Sequence, residues 1–191
     1  MNHRLKINVI GIMIIILVFL IGRSVSYSQM QEKTVYISSF GFLALLSILF
    51  VLSIPLIYKL KKSNFTSILL MNRRWIGVYT FIFALIHVFL VSEFFFDWNI
   101  LKIIENKYRV LGVIAFTILV LMAVTSNDKS LRLLKKNWKR LHYLVYAALI
   151  LIIIHSFNLG LIFMKSLNVR ILIMILASVI IIWKIRNKIK K

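Results

Sequence analysis

Six long apolar runs separated by short polar or basic stretches organise this chain, falling at Ile7–Ile21, Ile37–Leu60, Trp75–Phe96, Tyr108–Thr125, Leu141–Phe157 and Val169–Trp183. Each is apolar around its whole circumference, which suits a helix crossing lipid better than a surface helix with one buried stripe. Isoleucine and valine are common in these runs and would favour strands in water. A barrel-spanning strand, however, is about 10 residues long and alternates in polarity, and these runs do neither. The pattern predicts an all-α integral membrane protein, a bundle of six transmembrane helices. The first run, INVIGIMIIILVFLIG after MNHRLK, has the outline of a signal peptide. RSVS after it is a poor cleavage site, so the run is read as a span.

Composition fits a multi-pass membrane protein: 61% of residues are hydrophobic and the mean hydropathy is +0.94. The 25 Lys and Arg against 5 Asp and Glu give a net charge of +20. In a soluble chain that excess would point to nucleic acid. Here the cations flank apolar runs, where they meet anionic membrane lipid and set orientation, so nucleic acid is not an expected partner. Eighteen of them fall before the first span, between spans two and three, between spans four and five, and after the sixth; seven fall on the other side. By the positive-inside rule both termini are cytoplasmic. Trp75, Trp98, Trp138 and Trp183 stand at predicted span ends, as an aromatic belt would place them. The absence of cysteine excludes disulfides, thiolate-bound metals and thiol catalysis.

Against this apolar background His87, His142 and His155 stand out, because an ionisable side chain in a bilayer is costly and marks a functional site by default. His87 lies roughly 18 Å and His155 roughly 21 Å along their spans from the cytoplasmic ends. Two imidazoles at matching depth on neighbouring spans are what a haem held between helices requires, so His87 and His155 are the candidate axial ligands of a haem b. His142 lies near the cytoplasmic edge, level with Arg73 and Arg74. It is a candidate for a second cofactor or haem whose propionates or phosphate the two arginines would contact. On an ideal wheel His142 and His155 diverge by about 140°, so they do not share a face unless the helix tilts or bends. The bland alternatives are structural hydrogen bonds between helices and arginines that only mark topology. Glu93 and Asp97 could serve proton coupling but better mark the end of the third span.

The residues also carry a resemblance. NRRWIGVYTFIFALIHVFL, with Arg73, Arg74, Gly77 and His87, resembles the third helix of the haem-binding membrane subunit of bacterial periplasmic methionine sulfoxide reductase systems (MsrQ type). The stretch from Tyr108 to Phe157 is similar to that subunit's fourth and fifth helices through Leu111, Gly112, Thr125, Ser126, Trp138, Leu141, His142, Val145, Tyr146 and His155. The wider group is the ferric-reductase-like transmembrane domain. The resemblance covers residues 72–157 well and 37–185 loosely. It implies a multi-pass cytochrome b of the bacterial inner membrane, with one haem b or two and room for FMN. It further implies a quinol-pool or flavin-reductase donor and a periplasmic molybdopterin enzyme that reduces methionine sulfoxide. Two departures are visible: Arg73 stands where related oxidases carry a further histidine, and Asn106-Lys107-Tyr108 replaces the usual Arg-Pro-Tyr.

The expected organisation is one domain over 1–191 with its core at 37–185. Eight residues follow Trp183 and no G-x-G-x-x-G occurs, so no soluble flavin or NADPH domain is expected and the chain is an electron-transfer subunit rather than a self-contained enzyme. A related cytochrome serving ferric chelates, and a non-redox scaffold or transporter with structural histidines, are the alternatives.

Overall fold

The computed structural model describes residues 3–189; Lys190 and Lys191 of the basic tail lie outside them. Eight helices follow one another among the described residues: α1 (His3–Val25), α2 (Gln29–Leu60), α3 (Asn64–Val91), α4 (Ile100–Ile104), α5 (Lys107–Val124), α6 (Asp128–Leu134), α7 (Lys136–Leu159) and α8 (Leu167–Ile189). A π-helical turn, Ser92–Phe96, continues α3, and a single 3₁₀ turn at Phe163–Lys165 precedes α8. The helices α1, α2, α3 with its π turn, α5, α7 and α8 are long and apolar enough to cross a membrane. The six-span bundle expected from hydropathy is therefore present.

Short polar residues between the apolar runs start the helices. Ser28 accepts the Gln31 N–H at 3.2 Å to open α2. Ser63 and Thr66 bond reciprocally to each other's backbone N–H to open α3. Asn106 accepts the Tyr108 N–H at 2.8 Å to open α5, and Asn127 accepts the Ser130 N–H at 2.7 Å to open α6. Each satisfies a donor that the first turn would otherwise leave unpaired. Asn106, one of the departures noted above, is thus a helix cap.

Several boundaries differ from the sequence expectation. The Ser63/Thr66 box starts α3 at Asn64, so Trp75 lies inside the helix, with the Arg4 guanidinium 4.7 Å from its ring centroid. The helix thus begins eleven residues before the apolar run that opens at Trp75. The fourth polar stretch carries α6, docked by an ion pair between Arg74 and Asp128 at 2.6 Å. At the far end of α3 the π turn leads into Asp97 and Trp98, both left-handed at φ 49° and 57°. Such backbone is uncommon for residues with a side chain.

Two helix pairs form the centre: α2 lies along α3, and α5 along α7. Phe40, Leu45, Ile48, Leu52 and Ile54 of α2 are fully buried, together with Leu149 of α7 and Ile173 of α8. Helix α1 leans on this centre through glycines. The Tyr79 ring fills the space beside Gly11 and the Tyr36 ring that beside Gly22. Its other faces, including Met13 and Leu20, are exposed as lipid contact requires. Most loop cations gather at the end of the bundle carrying residues 61–63 and 125–135, called the basic end below.

Candidate functional site

The two central helix pairs each present one histidine to a shared cavity of about 430 Å³ at the end of the bundle opposite the basic end. His87 projects from α3 and its Nδ1 lies 2.9 Å from the carbonyl oxygen of Ile37 on α2. His155 projects from α7 and its Nδ1 lies 2.8 Å from the carbonyl oxygen of Tyr108 on α5. A carbonyl can only accept, so Nδ1 carries the proton in both rings and Nε2 is left with its lone pair. This tautomer suits a metal-ligating histidine whose second nitrogen is held by a backbone oxygen.

A glycine makes each contact possible. Gly41 stands one helical turn beyond Ile37, and a Cβ there would lie 2.9 Å from His87 Nδ1. Gly112 stands one turn beyond Tyr108, and a Cβ there would lie 2.6 Å from His155 Nδ1. Both distances are inside van der Waals contact, so any side chain would displace the imidazole. The α2–α3 and α5–α7 pairs thus repeat one device: a carbonyl, a glycine four residues later, and a histidine from the partner helix laid into the notch.

The two rings are neighbours in the cavity, with centroids 6.4 Å apart and planes nearly perpendicular at 87°. Two metal–nitrogen bonds of about 2 Å each, with the half-widths of two imidazoles, sum to about 6 Å. The pair therefore fits as opposite axial ligands of one metal ion in a flat ring. Among the described residues no cluster of three or more His, Asp or Glu is present that could hold a bare metal ion. The rest of the lining is mostly apolar, including Phe42, Leu45, Val88, Phe116 and Ile152.

A second cavity of about 360 Å³ lies toward the basic end and is lined by Arg73, Arg74, Lys139, His142 and Lys184 together with Trp138 and Tyr146. His142 stacks on Trp138 with ring centroids 3.9 Å apart, and Trp138 Nε1 donates to the Thr125 carbonyl at 2.9 Å. His142 Nε2 is 3.4 Å from Thr125 Oγ1. Trp138 is thus a wall of this cavity as well as an end marker. Four cations and no carboxylate line it. Asp128 stands outside, where its hydrogen bond and ion pair with Arg74 hold its carboxyl below the usual aspartate value. Leu119 lines both cavities, and Phe81 and Phe116 stack between them.

The structure brings His87 and His155 together, and groups His142 with Arg73 and Arg74 elsewhere. The divergence of His142 and His155 around α7 is resolved by their serving different cavities. Glu93 accepts from Trp98 Nε1 at 2.8 Å and Asp97 pairs with Lys102 at 3.2 Å, both exposed beyond α3. They mark the span's end. Sequence reasoning did not single out Gly41, the carbonyls of Ile37 and Tyr108, or the Phe81–Phe116 pair. The glycine four residues after a carbonyl was available as a signal only once the helix pairing was known.

Known proteins resemble the chain over its central helices. The profile of the family described as ferric reductase like transmembrane component matches residues 38–153. The chain belongs to this family. The match contains Gly41, His87, Gly112 and His142 and stops just short of His155. Within the family, the chain is 34% identical over 93 residues to the protein-methionine-sulfoxide reductase heme-binding subunit MsrQ of Xanthomonas campestris pv. campestris strain B100. That alignment covers 47% of this chain and 43% of the relative. The corresponding subunit of strain 8004 is 33% identical over the same shares. The chain therefore aligns with less than half the length of these ferric-reductase-like relatives.

Proposed function

We propose that this chain is a cytochrome b of the bacterial inner membrane that carries electrons between redox partners on opposite faces. His87 and His155 are its axial ligands for one haem b. The observation that carries this reading is the neighbouring pair of imidazoles at 6.4 Å, each fixed by a backbone carbonyl. The relatives' printed description as heme-binding supports it.

A bound haem would supply reversible one-electron reduction. The chain's own part is to hold two neutral imidazoles at fixed depth, exclude water with the apolar lining, and keep their tautomer through Ile37 and Tyr108. The second cavity, with His142, Arg73 and Arg74, is assigned to a second anionic planar cofactor, a haem or FMN. Its four cations favour carboxylate or phosphate groups, and stacked Trp138–His142 offers a flat wall. Arg74 would have to share its guanidinium with Asp128.

The charge asymmetry supports cytoplasmic termini, which puts the His142 cavity on the cytoplasmic side and the His87–His155 cavity on the periplasmic side. Electrons would enter from a quinol or a flavin-linked donor and leave to a periplasmic molybdenum-cofactor enzyme that reduces methionine sulfoxide; the relatives' description supports the methionine-sulfoxide-reductase part of this reading. The family's description also supports ferric chelates as the acceptor. Reoxidation assays of the reduced protein with each acceptor separate the two.

The ligand assignment is tested on the full chain purified in detergent. His87→Ala and His155→Ala should each lose the low-spin b-type spectrum of the periplasmic-side haem, whereas His142→Ala should keep it. Full retention in both of the first two variants overturns the assignment, whereas absence of any b-type spectrum in wild type favours a non-redox scaffold.

A further inference from the structure

A haem carries two carboxylates along one edge, and the cavity between His87 and His155 offers almost nothing polar to receive them. Arg109 is the one charged side chain lining it among the described residues. Ser38 also lines it, and its Oγ is buried with no hydrogen-bond partner. Their positions follow the repeat built into the helix pairs. Ser38 is the residue after Ile37, and Arg109 the residue after Tyr108, so each adjoins a carbonyl that anchors an imidazole.

Arg109 is held but not consumed. Its guanidinium lies 4.7 Å from the Phe96 ring centroid and donates one hydrogen bond, from Nη1 to the Lys102 carbonyl at 2.6 Å. A guanidinium has five N–H donors in a rigid fork suited to carboxylate. No carboxylate among the described residues pairs with it. A cation beside an apolar cavity, with donors to spare, is stabilised by an anion brought by a ligand.

We propose that Arg109, assisted by the Ser38 hydroxyl, is the carboxylate-binding end of this cavity and fixes which edge of the planar ring faces the outer mouth. This rests on the His87–His155 ligation reading and adds an orientation to it. The test uses full chain purified from haem-limited cells and two probes, iron protoporphyrin and its dimethyl ester, in which both carboxylates are masked. Wild type should bind the free acid roughly tenfold tighter than the ester, the scale of a charge-assisted hydrogen bond. Arg109→Leu should bring the two probes to near parity, Arg109→Lys should keep most of the preference, and Ser38→Ala should reduce it. Arg109→Gln carries the same comparison if the leucine variant does not assemble. An unchanged preference for the acid in the charge-removing variant overturns the proposal. If wild type gives no low-spin spectrum with either probe, the ligation reading itself fails, and that result is distinct from equal binding of both.

Discussion

Phe81 and Phe116 stack with ring centroids 6.0 Å apart and planes 17° apart, one lining each of the two cavities. With Leu119 they form the partition between the basic cavity and the histidine cavity. A stacked aromatic pair is a rigid, close-packed wall, so the two chambers are separate sites rather than one long cleft. Phe116→Ala should open them to each other and cost less than about 3 kcal/mol of stability, the lower end for a fully buried phenylalanine, because Phe116 is half-buried. Thermal unfolding in detergent measures it; a change within error would show that the wall repacks without loss.

The glycine notches predict a spectroscopic effect with little change in fold. Gly41→Ala and Gly112→Ala place a methyl 2.9 Å and 2.6 Å from the Nδ1 atoms of His87 and His155. Each should turn the imidazole off its carbonyl. In wild type, axial planes at 87° should give a strongly anisotropic low-spin ferric signal in electron paramagnetic resonance, and each variant should shift it. Gly77→Ala, whose nearest neighbour would be Val51 at 3.8 Å, should leave that signal in place. Identical signals in all four proteins would refute the notch's role.

The role proposed for His142 predicts a split between electron entry and haem retention. His142→Ala should leave the periplasmic-side haem spectrum intact while slowing its reduction by the membrane donor several-fold, on the scale of losing one positioned cofactor contact. Stopped-flow reduction together with total cofactor content checks this. If both match wild type, His142 is an interfacial anchor held by Trp138 and Thr125.

The Arg74–Asp128 ion pair docks α6 against α3 and has a defined pH signature. Arg74 lowers the Asp128 pKa in the folded protein. The pair's contribution is therefore present above the unfolded aspartate value, about 3.9, and is lost as pH falls through the lower folded value. Wild type and Asp128→Asn should differ in thermal stability at neutral pH and converge as pH falls through the lowered folded value. A difference that persists below that value would assign it to packing instead. Because Asp128 is exposed, the neutral-pH difference should be small and fall with salt.

Topology is tested by reporter fusions. Fusions after Lys62, Lys136 and Lys191 should report cytoplasmic, and fusions after Ser28, Lys102 and Lys165 should report the outer side, following the charge bias. Inversion at two of these sites would reverse the direction of electron flow proposed above.

The apolar runs and their flanking cations by themselves determined the number of spans, because lipid leaves a helix no alternative way to satisfy its backbone. The same cost of polarity in lipid made His87 and His155 visible as a pair. Helix ends were less legible: the Ser63/Thr66 cap and α6 lie in stretches whose polarity reads as loop, although their hydrogen bonds make them helical. What only the tertiary structure decided was which helices lie together. The pairing of α2 with α3 and α5 with α7 brings Ile37 and Gly41 to His87, and Tyr108 and Gly112 to His155. A backbone carbonyl has no letter in the sequence, and a glycine's value as a notch depends on the ring that fills it. The same holds for Arg109, which its place in the first turn of α5 marks as a topology cation and its packing turns toward the cavity.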